Sequence, residues 1–142
     1  MPLPAQRPAI VRPELRLDVI AAPATTVETG IGLARAFATY TRLVGIVAAG
    51  TATRNGSTVA AYRAELAARF VLDPFWQSRW SLYGVGGISA MYDAFDDWRP
   101  IVTVAVGLEG PRKGSISPAF ELGVGGGFRF AGVLRFARGD LR

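Results

Sequence analysis

The sequence predicts an all-β fold, a closed up-and-down antiparallel β-barrel of about eight strands. Apolar and polar residues alternate with a period of two through most of the chain, as in strands with one apolar and one polar face. The segment Ala60–Leu72 shows this best, with Tyr62 and Leu66 on one parity and Arg63 and Glu65 on the other. Turn-forming residues interrupt the alternation roughly every ten to fifteen residues. A chain of 142 residues supports one domain, which eight strands would fill.

Eight candidate strands lie between these turns. They cover Glu14–Ala22, Thr26–Phe37, Tyr40–Thr53, Ser57–Leu72, Trp80–Tyr92, Trp98–Glu109, Pro118–Gly125 and Phe128–Ala137. The predicted barrel therefore occupies residues 14–138, after an irregular, proline-stiffened tail over residues 1–13 and before a short tail over residues 139–142. The first residues lack the apolar stretch of a signal peptide, so in an exported protein we expect the leader to have been removed.

The predicted strand lengths favour a barrel that crosses a membrane. Most of these strands are about nine to thirteen residues long, which suits a bilayer crossed at a tilt of about 45°. Strands of soluble proteins more often have about five or six residues. The strongest hairpin signal is Asn55-Gly56, because both residues tolerate positive φ. The longest charge-free apolar run, Leu43–Ala52, is too short for a membrane-spanning helix.

The polar parity of the strands carries charges of both signs and many glycines. Its charged residues are Glu28, Arg63, Glu65, Arg69, Glu109, Glu121, Arg129 and Arg135. The interior of an eight-stranded barrel is just wide enough to be filled by side chains, and glycines there make room for long ones. We therefore expect the bulky apolar face to point outward to lipid, with the charges neutralising one another in the lumen. The third strand is apolar on both parities, so the sequence does not orient it.

Aromatic residues gather at the predicted strand ends. One rim collects Phe37, Tyr40, Phe70, Phe75, Trp76, Trp80, Phe120 and Phe136, and the other collects Tyr92, Phe95, Trp98, Phe128 and Phe130. Two such belts are typical of membrane–water interfaces. Ordinary packing of strand ends is the alternative, because strands are rich in aromatic residues in general.

Three segments, besides the alternating strands, carry a resemblance to a known class of protein. They are Leu72-Asp73-Pro74-Phe75, Trp80-Ser81-Leu82-Tyr83-Gly84-Val85-Gly86-Gly87 and Val106-Gly107-Leu108-Glu109-Gly110-Pro111-Arg112. Over about Glu14–Arg138 the chain resembles small eight-stranded bacterial outer-membrane β-barrels of an uncharacterised exported family. The resemblance implies a location in the bacterial outer membrane, with membrane lipids or lipopolysaccharide as partners. It leaves the oligomeric state open.

Composition excludes several classes of function. The net charge of +5 comes from arginines that are scattered singly, so no nucleic-acid footprint is formed. The chain has no cysteine and no histidine, which removes disulfides, thiolate chemistry, imidazole bases and most zinc sites. The glycine clusters do not match a phosphate-binding motif, and Asp93, Asp96 and Asp97 lack the spacing of a calcium loop. We therefore predict no enzymatic activity, no cofactor and no metal.

Two questions of function stay open in the sequence. The lumen charges could form an ion path or an acid pair, but a mutually neutralising network fits their mixed signs better. The preferred function is thus a small outer-membrane barrel with a filled lumen and a structural or surface-interaction role. The alternatives are a soluble lipocalin-like barrel, with the bulky face lining a cavity for an apolar ligand, and a narrow pore.

Overall fold

The computed structural model describes residues 11–72, 80–111 and 113–136, and these residues form eight antiparallel strands in one closed barrel. The strands are β1 (Val11–Ala21), β2 (Thr25–Ala36), β3 (Thr41–Arg54), β4 (Ser57–Val71), β5 (Ser81–Asp93), β6 (Arg99–Glu109), β7 (Ile116–Val124) and β8 (Phe128–Phe136). Each strand pairs with its neighbours in sequence, and β8 pairs with β1 to close the barrel. The predicted fold class is confirmed. Within the described ranges, no helix is long and apolar enough to cross a membrane.

The β3–β4 hairpin follows the turn chemistry of its sequence. Asn55 and Gly56 take φ values of 49° and 79°, and Arg54 pairs with Ser57 across the turn. Positive φ at both central residues is the type I′ arrangement, whose twist matches that of the flanking strands. The hairpin predicted from Asn55-Gly56 is therefore confirmed.

The first strand begins earlier than predicted. β1 starts at Val11 rather than at Glu14, and Val11 and Pro13 pair with Arg35 and Leu33 of β2. A proline is tolerated where its missing N–H is not needed for the ladder, so Pro13 does not end the strand. The predicted end of the barrel at residue 138 lies outside the described residues.

The up-and-down order gives the barrel two distinct ends. We call the end where β1 begins and β8 ends the terminal rim; the β2–β3, β4–β5 and β6–β7 connections join strands there. The opposite rim holds the four remaining connections, which include the Asn55-Gly56 turn. The end of one strand and the start of the next therefore lie at the same rim.

Burial shows which face of the strands points inward. Leu66, Ile88 and Val104 are 59%, 65% and 57% exposed, whereas Glu65 and Glu121 are each 5% exposed. The expectation that the bulky apolar face points outward and the charged face inward is therefore confirmed.

The structure also orients β3. Val44, Ile46 and Ala48 point into the lumen, while Leu43 and Val47 point outward. Register decides this, because Ile46 lies opposite the inward-facing residues of β2 and β4. The sequence of β3 does not show which of its faces is inward, because both are apolar; the register with β2 and β4 sets it.

Candidate functional site

The lumen is filled by a network of buried charged side chains. All eight residues predicted for it from the polar parity are there: Glu28, Arg63, Glu65, Arg69, Glu109, Glu121, Arg129 and Arg135. Three charged residues of β1 that the sequence analysis did not include, Glu14, Arg16 and Asp18, are buried among them. The sequence does contain a signal for them: Leu15 and Leu17, which have the outward parity, alternate with these three charged residues.

Arg16 connects the two halves of the network. Its Nη2 donates to Glu121 Oε2 at 2.6 Å and to Asp18 Oδ1 at 3.2 Å, and its Nη1 donates to Glu14 Oε1 at 3.2 Å. Glu121 lies on β7, so one of these bonds crosses from β1 over β8 to a third strand. Because Arg16 is one of the largest fully buried side chains, three carboxylates accept hydrogen bonds from a guanidinium that water does not reach.

Two arginines organise the half of the lumen nearer the opposite rim. Arg63 Nε donates to Glu28 at 2.9 Å, its Nη1 to Glu65 at 2.6 Å and its Nη2 to Asp18 at 2.9 Å. Arg129 binds Glu65 with both terminal nitrogens, at 2.9 and 2.8 Å. The fork-to-carboxylate geometry of this pair is the strongest form of ion pair available to arginine. Strands β1, β2, β4 and β8 are thereby joined across the lumen.

The half nearer the terminal rim is built in the same way, with an aromatic ring added. Arg69 donates to both oxygens of Glu14, at 2.7 and 2.6 Å, and Arg135 donates to Glu109 at 2.7 Å. The Tyr83 hydroxyl donates to Glu121 at 2.9 Å, and the Arg135 guanidinium lies 4.6 Å from the centre of the Tyr83 ring. A cation over an aromatic ring gains further electrostatic stabilisation where water is excluded.

The arrangement neutralises the charges of the lumen. Every carboxylate of the network lies beside at least one arginine in an ion pair between buried side chains. Removing one partner of such a pair costs far more than the pair itself contributes, because an uncompensated charge remains buried. The ion pairs link β1, β2, β4, β6, β7 and β8 across the lumen, so a shift of one of these strands would separate charges that are now paired.

Gly107 on β6 makes room for the Tyr83 ring in this network. A Cβ added at Gly107 would overlap the ring carbons and the hydroxyl of Tyr83. We expect Gly107→Ala to destabilise the barrel by about 1–3 kcal/mol, because the ring that donates to Glu121 would have to move. Urea unfolding of the protein refolded in detergent micelles measures this change in free energy.

Gly84 on β5 is the matched control for that substitution. It faces outward, and nothing lies within 4 Å of a Cβ placed there. We expect Gly84→Ala to be neutral or to stabilise the strand by about 0.5–1 kcal/mol, since glycine in a strand loses more backbone entropy on folding. Equal destabilisation by the two substitutions would show that Tyr83 does not fill the space at Gly107.

The aromatic residues of the predicted belts lie mostly exposed at the two ends of the outer surface. Phe37, Tyr40, Phe70 and Trp80 are exposed towards the terminal rim, and Trp98 and Phe128 towards the opposite rim. Tyr92 and Phe136 are half-buried, and Tyr92 lies between Tyr62 and Trp98 with ring centres 6.1 and 5.2 Å away. Trp76 lies outside the described residues.

The acidic cluster at the opposite rim forms a loop rather than an open cation site. One Asp93 oxygen accepts from the backbone N–H groups of Phe95 and Asp96, both at 2.9 Å. Its other oxygen accepts from Arg99 at 3.0 Å, and Arg54 donates to Asp96 at 2.7 Å. Through these bonds Asp93 and Asp96 stabilise the β5–β6 turn.

Comparison with known proteins adds no identification: no family model matches the chain, and no curated protein matches it.

Proposed function

We propose that the chain is a small membrane-spanning β-barrel of a bacterial outer membrane, with a filled lumen and a structural or surface-interaction role. One observation carries this proposal. Among the described strand residues, Arg35 near the terminal rim is the only charged residue on the outward parity, whereas twelve charged side chains are buried on the inward parity. Soluble monomers rarely expose continuous apolar patches above several hundred square ångströms, and this band surrounds the barrel.

Strand length, strand number and aromatic placement support the same proposal. The strands have 9 to 15 residues, enough for a tilted crossing of the hydrocarbon region. An even number of antiparallel strands, with both ends of the barrel sequence at one rim, is typical of bacterial outer-membrane barrels. The exposed aromatic residues at both ends suit the two headgroup regions, so we propose membrane lipids or lipopolysaccharide as partners.

The lumen argues against the alternatives. A lipocalin-like carrier requires the bulky apolar face to line a cavity, but here that face is outside and ion pairs occupy the inside. An open pore requires a continuous aqueous path, which bridges such as Arg16–Glu121 and Arg129–Glu65 cross. We propose no enzymatic activity, because the lumen carboxylates are bound to arginines and the chain has no histidine or cysteine to act as base or nucleophile.

Folding into lipid tests the proposal. We expect the urea-denatured protein, diluted into phosphatidylcholine vesicles, to fold and float with them, and to migrate differently on a gel with and without boiling. The physical reason is that the outward apolar band is stable only in contact with hydrocarbon. In hydrocarbon no water can bind the backbone, so the closed barrel, in which strands satisfy one another's hydrogen bonds, is the favoured structure. Dilution into buffer without vesicles is the control and should give aggregated protein.

A folded, soluble monomer in buffer without lipid or detergent would contradict the proposal. Planar bilayer recordings of the same preparation separate the filled barrel from the pore. We expect no discrete conductance steps from the wild-type protein, since its lumen is crossed by arginine–carboxylate bridges. Regular conductance steps of one size would contradict the filled barrel and support the narrow pore.

A further inference from the structure

The basic residues of the described chain divide into two groups, and only one has acidic partners. Seven arginines form ion pairs: Arg16, Arg54, Arg63, Arg69, Arg99, Arg129 and Arg135. Four basic residues form none with the described residues: Arg12, Arg35, Arg42 and Lys113. All four lie at the terminal rim, at the start of β1, the end of β2, the start of β3 and the β6–β7 connection.

The opposite rim shows that this asymmetry is not a general property of the strand ends. Its two arginines, Arg54 and Arg99, are both paired with aspartates, at 2.7 and 3.0 Å. With Asp97 included, carboxylates outnumber arginines there. Of the residues described at the terminal rim, none outside the buried lumen network is acidic. Within the described ranges, the basic residues without an ion pair are thus concentrated at one end of the barrel.

Three of the four residues are neighbours in the sheet. Arg35 is opposite Val11, next to Arg12 in sequence, and Arg42 pairs with Ala36, next to Arg35. Arg35 has the outward parity and is exposed, as are Phe37 and Tyr40, while Arg12 and Arg42 have the inward parity and are half-buried at the mouth of the lumen. Adjacent strand ends therefore bring three arginines to the edge of the apolar band, Arg35 on its outer side and Arg12 and Arg42 at the mouth of the lumen.

Among the described residues that act on Arg42, basic side chains outnumber acidic ones. The charges that act on it most strongly are Glu109, which attracts it, and Arg12, Arg135 and Arg69, which repel it. Glu109 already accepts a bond from Arg135. Like charges that remain together without an acidic partner favour an anion from outside the protein.

We propose that the terminal rim binds the phosphate groups of anionic phospholipids through Arg12, Arg35 and Arg42, with Lys113 contributing charge nearby. The inference rests on the proposed function, because the height of these residues matters only if the apolar band lies in hydrocarbon. Arg35 would then reach from the edge of the band into the headgroup layer beside the aromatic residues, as arginines at membrane interfaces do. A planar guanidinium is well matched to a phosphate, which it can bind with two parallel hydrogen bonds.

Lipid retention in native mass spectrometry tests this. The folded protein is placed in mixed micelles with equal amounts of phosphatidylglycerol and phosphatidylcholine, and the lipids that remain bound after detergent removal are counted. We expect phosphatidylglycerol to be retained in excess. The excess should fall by at least about fivefold in the Arg12→Gln/Arg35→Gln/Arg42→Gln variant, since each basic residue near an anionic surface contributes about that factor.

The Arg54→Gln/Arg99→Gln variant, altered at the opposite rim, is the matched control and should keep the excess. If the triple variant fails to fold, Arg35→Gln alone changes only an exposed side chain and should lower the excess by about fivefold. Inorganic phosphate at millimolar concentration should not displace the lipid. Displacement by phosphate would assign the rim to a soluble anion and overturn the lipid proposal.

Two further results would overturn it, and both differ from failure of the proposed function. The first is equal retention of the two lipids by the wild-type protein. The second is an equal loss of phosphatidylglycerol in the triple variant and in the opposite-rim control. Folding into pure phosphatidylcholine vesicles requires no anionic lipid, so that experiment fails only if the barrel does not insert at all.

Discussion

Arg16→Met is expected to destabilise the barrel by about 3–5 kcal/mol, as the loss of one partner from a buried ion pair does. Methionine fills much of the same space, but Glu14, Asp18 and Glu121 would each lose a charged hydrogen bond within the closed lumen. Urea unfolding in phosphatidylcholine vesicles, followed by gel migration without boiling, measures the loss of stability.

Arg35→Met is the matched control, because Arg35 forms no ion pair with the described residues and lies exposed at the terminal rim. In vesicles of phosphatidylcholine alone, which contain no anionic lipid, it should change the free energy of unfolding by less than about 0.5 kcal/mol. The Arg16→Met/Glu121→Gln double variant should lose less than the sum of its two single substitutions, since the second change neutralises a carboxylate that has already lost its bond to Arg16. Additive losses would contradict the direct pairing of Arg16 with Glu121.

Val104→Arg is expected to cost about 2–4 kcal/mol in vesicles, because its charge would lie in the middle of the outward band. Val104 is in the centre of β6, between Gly86 of β5 and Val124 of β7, and all three have the outward parity. The measurement is the same urea titration in vesicles.

Ser115→Arg provides the comparison for the cost of an added arginine as such. Ser115 is exposed in the β6–β7 connection at the terminal rim. We expect this variant to unfold within about 0.5 kcal/mol of the wild type. Equal tolerance of arginine at positions 104 and 115 would mean that Val104 does not face hydrocarbon.

Much of the fold could be predicted because a barrel strand repeats one local rule. Alternation assigned the inward and outward faces of β4, where Arg63 and Glu65 are inside and Tyr62 and Leu66 are outside. Turn chemistry located the β3–β4 hairpin at Asn55-Gly56. Both features depend on residues that are close in sequence, so they are readable without knowledge of the partner strands.

The orientation of β3 and the central position of Arg16 depend on pairing between strands. β3 has Val44 and Ile46 inside and Leu43 and Val47 outside, a choice that its own composition does not express. The central position of Arg16 follows from closure of β1 on β8, which brings β7 within reach. No local pattern carries this information, because the contact joins residues 105 positions apart.

The charge asymmetry of the two rims was likewise hidden in the sequence. The basic residues are scattered singly along the sequence, and the net charge of +5 does not show on which surface of the barrel they lie. Up-and-down topology brings Arg12, Arg35 and Arg42 to one end, because alternate strand ends meet there. The resulting cluster is a property of the fold rather than of any segment.

Accessibility of the outer surface to lipid is the most direct test of the whole account. The chain has no cysteine, so single variants Leu66→Cys, Ile88→Cys and Val104→Cys can each carry one fluorescent label, with Ser115→Cys as the control. In vesicles we predict that brominated acyl chains quench the label at the first three positions, while aqueous iodide quenches it only at position 115. Quenching of all four labels by iodide, with none by brominated lipid, would place the apolar band in water and contradict a membrane-spanning barrel.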